Sequence, residues 1–249
     1  MISVQNVHKS FANKKVLNDV SANFEPGKAN LIIGQSGSGK TVLLKSIIGL
    51  HDIDDGAILY GNTVFNKLDF KEKKEIRKEM GMLFQGSALF DSLSVEENVR
   101  FPLEMFTNMN ESEIRDRANF CLNRVEIENA NLLLPSEISG GMQKRVAIAR
   151  AIALNPKYLF CDEPNSGLDP KTSIVIDNLI KEITEEYNIT TIINTHDMNS
   201  VMEIGDNIVF IYEGEVAWKG NKDDIFKTDN KILNDFVFAS ELFKKIKST

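Results

Sequence analysis

The chain has 249 residues, of which 42% are apolar and 26% charged, and this size and composition predict one ordinary globular α/β domain. The formal net charge of −7 gives no general electrostatic attraction towards nucleic acid or anionic lipid, whose binding proteins usually carry a basic surplus, and it leaves room for local basic patches. Two cysteines and three histidines are too few and too scattered for a metal cluster. We therefore expect Cys121 and Cys161 to be reduced thiols in a cytosolic protein.

The sequence predicts neither a signal peptide nor a membrane span. The segment after Met1 lacks the apolar run of a signal peptide. No window approaches the ~18 consecutive apolar residues that a membrane helix requires. If the protein serves a membrane process, we expect another chain to cross the membrane.

The first third of the chain carries strand patterns, separated by turn signals such as Pro26-Gly27 and Asp55-Gly56. The predicted strands are Ile2–Val7, Val16–Phe24, Ala29–Ile33 and Ala57–Tyr60. A mixed-charge run at Lys71–Lys78 predicts a solvated helix face. From about Ser94 to Leu154 the pattern is largely helical.

Strand and helix patterns alternate in the last third. The predicted elements are strands at Tyr158–Cys161, Thr190–Asn194 and Ile208–Tyr212, with a helix at about Lys171–Tyr187 between the first two. Such alternation predicts a parallel sheet covered by helices. The long helical block interrupts that sheet, and we expect it to form a lobe of its own.

A phosphate-binding loop is predicted at Gly34-Gln35-Ser36-Gly37-Ser38-Gly39-Lys40-Thr41, which matches G-x-x-x-x-G-K-[ST] between a strand and a helical pattern at Val42–Leu50. Glycines let successive N–H groups face a phosphate, and the helix N-terminus adds the positive end of its dipole. We expect Lys40 to reach the β- and γ-phosphates and the Thr41 hydroxyl to bind Mg²⁺.

A guanine nucleotide is the competing hypothesis, because Asn66-Lys67-Leu68-Asp69 and Asn221-Lys222-Asp223-Asp224 both match the N-K-x-D pattern of GTPases. No Asp in the chain is followed three residues later by Gly, so the D-x-x-G element of those enzymes is absent. The first match also lies too near the phosphate loop. We therefore interpret both as polar turns and predict ATP.

Two adjacent carboxylates end a buried strand pattern. Asp162 and Glu163 follow Tyr158–Cys161, and the carboxyl ends of parallel strands are where ligands bind in open α/β sheets. Asp162 suits a Mg²⁺ ligand and Glu163 a base that orients and deprotonates the attacking water. His196 follows the next strand pattern at the same edge, which favours a γ-phosphate contact.

A second anion site is predicted at Ser139-Gly140-Gly141, which opens a helical pattern about a hundred residues after the phosphate loop. Ser139 also reads as a plain helix N-cap, and Asp169 before Pro170 as another. We expect that one chain does not bring the two phosphate sites together. The pair of sites therefore indicates a machine built from two copies.

With Gly34–Thr41, Ser139–Arg145 and Tyr158–Glu163 in this order and spacing, the chain resembles the ATPase subunit of ABC transporters from Ile2 to about Gly220. The resemblance implies a P-loop NTPase (RecA-like) α/β fold, with a mostly parallel sheet and an antiparallel β edge. It implies a nucleotide-binding core at about 1–85 and 155–220, a helical subdomain at about 86–154 and a C-terminal helical extension at about 221–249.

The same resemblance implies roles for particular residues. Phe11 stacks on adenine, and Val42 contacts the nucleotide through its backbone only. Gln85 joins the Mg²⁺ and water site to the helical subdomain. Ser166-Gly167-Leu168-Asp169 communicates between two subunits, with Asp169 at the nucleotide site. Ser139, Gly140 and Gly141 contact the γ-phosphate of ATP held by the partner subunit.

Four features are similar to the Mla-type branch, which powers lipid transport with MCE-domain proteins. They are Val42, Met142, the stretch Gly81–Leu93 and the stretch Asp169–Ser173. This resemblance implies a homodimer at the inner, cytoplasmic face of the cell membrane, a membrane permease, and an MCE-domain lipid-binding protein as a further partner. The alternative is the ATPase of another ABC importer or exporter, for an amino acid or small solute. A chromosome-maintenance ATPase is disfavoured, because a coiled coil or DNA-binding surface is missing and we expect no nucleic acid partner.

Two apolar segments are candidate partner surfaces. The resemblance implies that part of the apolar region after Gln85 receives a coupling helix of the permease. At the C-terminus, apolar residues spaced by 4, 3, 4 and 3 predict a one-sided helix. They are Ile232, Phe236, Ala239, Phe243 and Ile246. The helix is expected to dock on its own body or on the second subunit.

Overall fold

The structure, a computed structural model, describes residues 1–238 and contains ten strands and eight α-helices in that range. The strands are β1 (Ile2–Phe11), β2 (Lys14–Phe24), β3 (Ala29–Ile33), β4 (Asp55–Tyr60), β5 (Thr63–Val64), β6 (Met80–Leu83), β7 (Tyr158–Asp162), β8 (Thr190–Thr195), β9 (Asn207–Tyr212) and β10 (Glu215–Gly220). The helices are α1 (Lys40–Ile48), α2 (Phe70–Lys78), α3 (Val95–Phe106), α4 (Glu111–Arg124), α5 (Gly140–Ile152), α6 (Pro170–Glu186), α7 (Met198–Ile204) and α8 (Lys231–Val237).

Two sheets organise the domain. The central sheet has the order β10-β9-β3-β8-β7-β6, and all its strands are parallel except β10. An antiparallel sheet of order β2-β1-β4-β5 lies beside it. The predicted fold class is confirmed. Because β3, β6, β7 and β8 are parallel, the residues that follow them meet at one edge of the sheet.

The central sheet is buried on both faces. Along β3, Leu31 and Ile33 pack into the core shared with the helices, while Ile32 faces the core formed with α1 and the antiparallel sheet. Each of these side chains is fully buried. Burial of one such side chain stabilises the fold by about 1.5–3 kcal/mol, so this strand is a firm base for the loop that follows it.

The helical block packs on the sheet through a continuous core. Capping boxes at Ser94 and Asn110 start α3 and α4, and their buried faces meet α5. Val99, Cys121 and Ala147 belong to the same apolar cluster as Leu159 of β7. This continuity places α5 against both the helices and the sheet. The predicted boundaries of the helical subdomain stay a prediction.

Several element boundaries differ from the sequence expectation. β1 continues to Phe11 rather than ending at Val7, because its pairing with β2 extends through shifted registers to the Phe11–Lys14 pair. α1 covers Lys40–Ile48 rather than Val42–Leu50, since Gly49 adopts a φ of 79° and ends the helix. β5, β6, β10 and α7 were not predicted. The strands among these are short or lie at sheet edges, where apolar periodicity is weak.

The C-terminal helix docks with a different face than predicted. In α8, Leu233 and Val237 are buried, whereas Ile232 is 42% exposed. Phe236 stacks on Phe210 of β9, with ring centroids 5.2 Å apart. The prediction was therefore wrong for Ile232. The predicted positions Ala239, Phe243 and Ile246 lie outside the described residues.

Within residues 1–238, no helix combines the length and the apolar character needed to span a membrane.

Candidate functional site

The loop after β3 has backbone geometry that only glycine tolerates. Gly34, Gly37 and Gly39 have φ values of 150°, 81° and 109°. A Cβ at Gly34 would lie 2.3 Å from the carbonyl oxygen of Ile211. The predicted strand, loop and helix are thus present, and a glycine loop of this kind before a helix is the geometry in which successive N–H groups can face a phosphate.

Two buried polar groups in this loop fit a bound phosphate chain. Lys40 is 5% exposed, and its Nζ donates to the carbonyls of Gly34 at 2.8 Å and Gln35 at 3.1 Å. Burial lowers the pKa of Lys40, and the carboxylates of Glu163 and Asp162 partly oppose this. The buried Ser38 hydroxyl lacks a hydrogen-bond partner among residues 1–238. A desolvated ammonium and an unpaired hydroxyl both gain interactions when phosphate oxygens arrive.

A hard-cation donor set lies beside this loop. The Thr41 hydroxyl is 3.5 Å from Oδ1 of Asp162, and the Asn194 amide donates to the same Oδ1 at 3.1 Å. Oδ1 of Asn194 is buried without a partner in the described part of the chain. Oxygen donors of this kind suit Mg²⁺, which keeps several waters. Asn194 was missed by sequence reasoning, and its signal was a polar side chain near the end of an apolar strand.

Glu163 is held from two sides. Its Oε1 is 2.9 Å from Nδ1 of His196, and its Oε2 is 3.4 Å from Nε2 of Gln85. A carboxylate can only accept, so Nδ1 of His196 carries the hydrogen. Gln85 also donates to Ser166 at 3.3 Å. Two residues predicted separately, His196 and Gln85, thus converge on the carboxylate of Glu163.

The backbone of Glu163 adopts an uncommon conformation. Its φ is 48°, which is uncommon for a residue other than glycine, and its N–H donates to the carbonyl of Asn194 at 2.9 Å. Such strain clusters at functional sites. Ser166 was placed by resemblance in a segment between subunits, and the structure adds its contact with Gln85.

The second predicted anion site lies at the start of α5. Ser139 caps the helix and accepts a hydrogen bond from the Met142 amide at 3.3 Å. A Cβ at Gly141 would lie 2.8 Å from Cγ2 of Thr172, so glycine permits close packing on α6. In the described range, no hydrogen bond joins Ser139–Gly141 to the phosphate loop at 34–41.

The remaining predicted residues are Asp169, Phe11 and Val42. Asp169 caps α6 by accepting from the amides of Lys171 and Thr172, and it is exposed. Phe11 is 43% exposed and meets the ring of His51 edge-on at 5.3 Å. Val42 packs into the core beneath the phosphate loop. His51 was not predicted, because nothing in its local sequence marks it.

Comparison with known proteins identifies one family. A family model described as ABC transporter matches residues 17–166. The methionine import ATP-binding protein MetN of Clostridioides difficile (strain 630) is 39% identical over 237 residues, covering 95% of this chain and 74% of the relative. The probable ribonucleotide transport ATP-binding protein mkl of Mycobacterium leprae is 36% identical over 236 residues, covering 95% and 68%.

Solved structures of ATP-binding cassettes share the fold. The dimeric post-hydrolysis structure of the cassette MJ0796, bound to ADP and Pi, is 35% identical with a TM-score of 0.80, covering 89% of this chain and 99% of that one. The cbiO1 protein of Clostridium perfringens, part of the cbiONQ ABC transporter complex, is 30% identical with a TM-score of 0.85, covering 99% and 97%.

Proposed function

The chain belongs to the ABC transporter family, and from this premise we propose that it closes with a second copy of itself around two MgATP to drive a membrane permease. It is an ATP-binding subunit and an ATPase that uses ATP and Mg²⁺. The observation that carries the proposal is the position of Glu163 between His196 and Gln85, beside the Thr41–Asp162 pair.

Each residue of this constellation has a separate task. Lys40 and the loop amides would bind the phosphates, while Thr41 and Asp162 would hold Mg²⁺, which would neutralise phosphate charge. Glu163 takes a proton from the attacking water, and His196 and Gln85 keep its carboxylate oriented. Because the two orienting contacts reach different oxygens of Glu163, the loss of either lets the carboxylate rotate.

In the proposed dimer, the phosphate loop of one copy meets the start of α5 of the other copy. The start of α5 presents the Ser139 hydroxyl and the free amides of a helix N-terminus, which favour an anion. We propose that Ser139, Gly140 and Gly141 contact the γ-phosphate held by the phosphate loop of the partner subunit. Leu168 and Thr172 approach Gly140 and Gly141, and we place Asp169, between them at the start of α6, at the same interface. A chain without its partner should then be a poor ATPase.

The test is Glu163→Gln, which keeps the size of the side chain and removes the base. The variant should bind ATP, accumulate as a dimer in size-exclusion chromatography, and lose turnover by about 10²–10⁴-fold, the range typical of general base catalysis. Ser139→Ala in the same background should weaken that dimer without altering ATP binding to the monomer. Turnover of Glu163→Gln near the wild-type rate would contradict the proposed base.

A groove of about 710 Å³ is the proposed docking site for the permease. Its apolar wall includes Met82, Phe84, Phe90, Phe101, Phe106 and Leu154. Lys74, Arg77, Lys78 and Arg150 contribute positive charge to the same groove. We propose that it receives a coupling helix with an apolar face and acidic side chains, as charge complementarity favours. Phe101→Glu should abolish co-purification with the permease and leave the ATP affinity of the isolated chain unchanged.

The cargo is proposed to be phospholipid or a related lipid, with an MCE-domain protein as partner. The support is the resemblance of Met142, Val42 and the stretch Gly81–Leu93 to the Mla-type branch. Import of a small solute such as methionine is the second candidate, favoured by the 39% identity to a methionine import ATP-binding protein. Either function would place the chain at the cytoplasmic face of a membrane.

Purification of the native membrane complex separates these two candidates. An MCE-domain protein and co-purifying phospholipid, identified by mass spectrometry, would support lipid transport. A solute-binding protein together with methionine-stimulated ATPase activity would contradict it and support the alternative. The ATPase assignment is unaffected by either result, since it depends on residues that both candidates share.

A further inference from the structure

Two basic side chains of α5 donate hydrogen bonds to the backbone of the segment that carries Gln85. Nζ of Lys144 donates to the backbone carbonyl of Gln85. Arg150, six residues further along the same helix, donates to the carbonyls of Ser87 at 2.9 Å and Ala88 at 2.8 Å. One rigid helix thus holds three of the four carbonyls between Gln85 and Ala88.

The burial of the Lys144 ammonium is energetically unfavourable, which indicates that this lysine has a function other than stability. Lys144 is 4% exposed, and burial lowers the pKa of its ammonium, with Cys161 partly opposing this. In the described part of the chain, Lys144 forms no ion pair with a carboxylate, and the Gln85 carbonyl is its only hydrogen-bond partner. Burial of an ammonium without a carboxylate partner is unfavourable, because the charge loses its hydration without gaining an opposite charge. Stability alone therefore does not explain a lysine here.

The held segment is not in a relaxed conformation. Ser87 and Ala88 have φ values of 62° and 49°, in the left-handed region that residues with a Cβ rarely adopt. Charge-assisted hydrogen bonds to their carbonyls stabilise that conformation. Without them, the segment would relax and Gln85 would move with it.

The same helix has one end at the proposed partner phosphate. α5 begins at Gly140 and is about 20 Å long at 1.5 Å per residue. Lys144 lies one turn from this end, and Arg150 lies in the last turn beside the docking groove. Gln85 in turn contacts Glu163 through its side chain.

We infer that Lys144 is a positioning residue, which ties the Gln85 backbone to α5 so that the Gln85 side chain stays against Glu163 whenever α5 sits on the partner's phosphate. Arg150 holds the following carbonyls in the same way. The inference rests on the proposed function, because it needs the start of α5 to sense the partner's ATP. It adds a specific contact through which the binding of α5 to the partner's phosphate fixes the position of Glu163, the proposed base.

The test is Lys144→Met, which keeps the length of the side chain and removes the donor and the charge. Steady-state ATPase activity of the full chain is measured over a range of ATP and protein concentrations, together with the thermal unfolding midpoint. We expect kcat to fall about tenfold, which corresponds to ~1.4 kcal/mol. KM for ATP should stay within about twofold of wild type, and the midpoint should be unchanged or higher. In the Glu163→Gln background, Lys144→Met should leave the ATP-dependent dimer intact.

Lys157→Met is the matched control, because Lys157 is an exposed lysine paired with Glu79 and lies just before β7, at the end of that strand opposite to Asp162 and Glu163. It should change neither kcat nor the midpoint. An unchanged kcat in Lys144→Met would overturn the inference, as would a loss of activity that matches a loss of stability or a rise in KM alone. A wild-type chain without turnover at any protein concentration would overturn the proposed function, and the inference with it.

Discussion

A buried carboxyl behind the site gives a prediction with a calculable size. Asp177 of α6 is 2% exposed, and burial raises its pKa from the ordinary 3.8 to about 6, although Ser200 and Asn165 favour the ionised form. Asp197 and Glu203 add to the rise through their negative charge. Oδ1 of Asp177 and Oδ1 of Asn165 are both buried without a partner among residues 1–238.

The raised pKa of Asp177 makes the folded state less stable at neutral pH. Below about pH 4 the carboxyl is protonated in both the folded and the unfolded state, and it does not lower the free energy of unfolding. Between about pH 4 and 6 only the folded chain holds the proton, so stability falls as pH rises. Above about pH 6 the full cost remains, which is ~3 kcal/mol at ~1.36 kcal/mol for each tenfold change in proton affinity.

Asp177→Asn should recover most of this cost, about 2 kcal/mol at pH 7.5, because the amide resembles the protonated carboxyl and supplies a donor. For a chain of this size the unfolding midpoint should rise by about 4–8 °C. Calorimetry of wild type and variant at pH 7.5 and pH 5 measures the difference, which should shrink at pH 5. A variant less stable than wild type at pH 7.5, or a difference independent of pH, would refute the reasoning.

Three further substitutions test individual site residues. Lys40→Ala should weaken MgATP binding about 10- to 100-fold in calorimetric titration, since a hydrogen bond to a charged group contributes about 1.5–3 kcal/mol; undiminished affinity would contradict its role. His196→Ala should lower kcat about a hundredfold with little change in KM, because Glu163 loses one of its two orienting contacts. A rise in KM alone would assign His196 to nucleotide binding instead. Phe11→Ala should raise KM for ATP about tenfold while Phe11→Trp restores it, because base stacking on an aromatic ring contributes about 1–3 kcal/mol; equal KM values in all three proteins would exclude stacking.

Local chemistry explains why the phosphate loop and the acidic pair were predictable. Glycines at positions 34, 37 and 39 are required by the backbone itself, whatever surrounds them, since their φ values are positive. Asp162 ends, and Glu163 follows, a strand whose interior is buried, and such a strand shows as a continuous apolar run. The caps at Ser139 and Asp169 are likewise local, because each side chain bonds to amides two or three residues away.

The face of the last helix shows where periodicity fails. The spacing of Ile232 and Phe236 predicted the buried face of α8, yet Leu233 and Val237 are buried and Ile232 is exposed. A helix of seven residues carries apolar side chains on more than one face. Which face is covered depends on the position of Phe210 and its neighbours, and that position is not encoded in the spacing within the helix.

The sequence by itself determined the nucleotide loop, the two carboxylates and the helix starts, because each depends on residues that are close together in the chain. It also determined the class of sheet, because alternating strand and helix patterns are visible along the chain. Only the tertiary structure decided that Gln85, Glu163 and His196 meet, that Asn194 supports Asp162, and that Lys144 holds the Gln85 backbone. These contacts join residues 32 to 78 positions apart. They exist because parallel strands bring distant segments to one edge of a sheet, which no local pattern records.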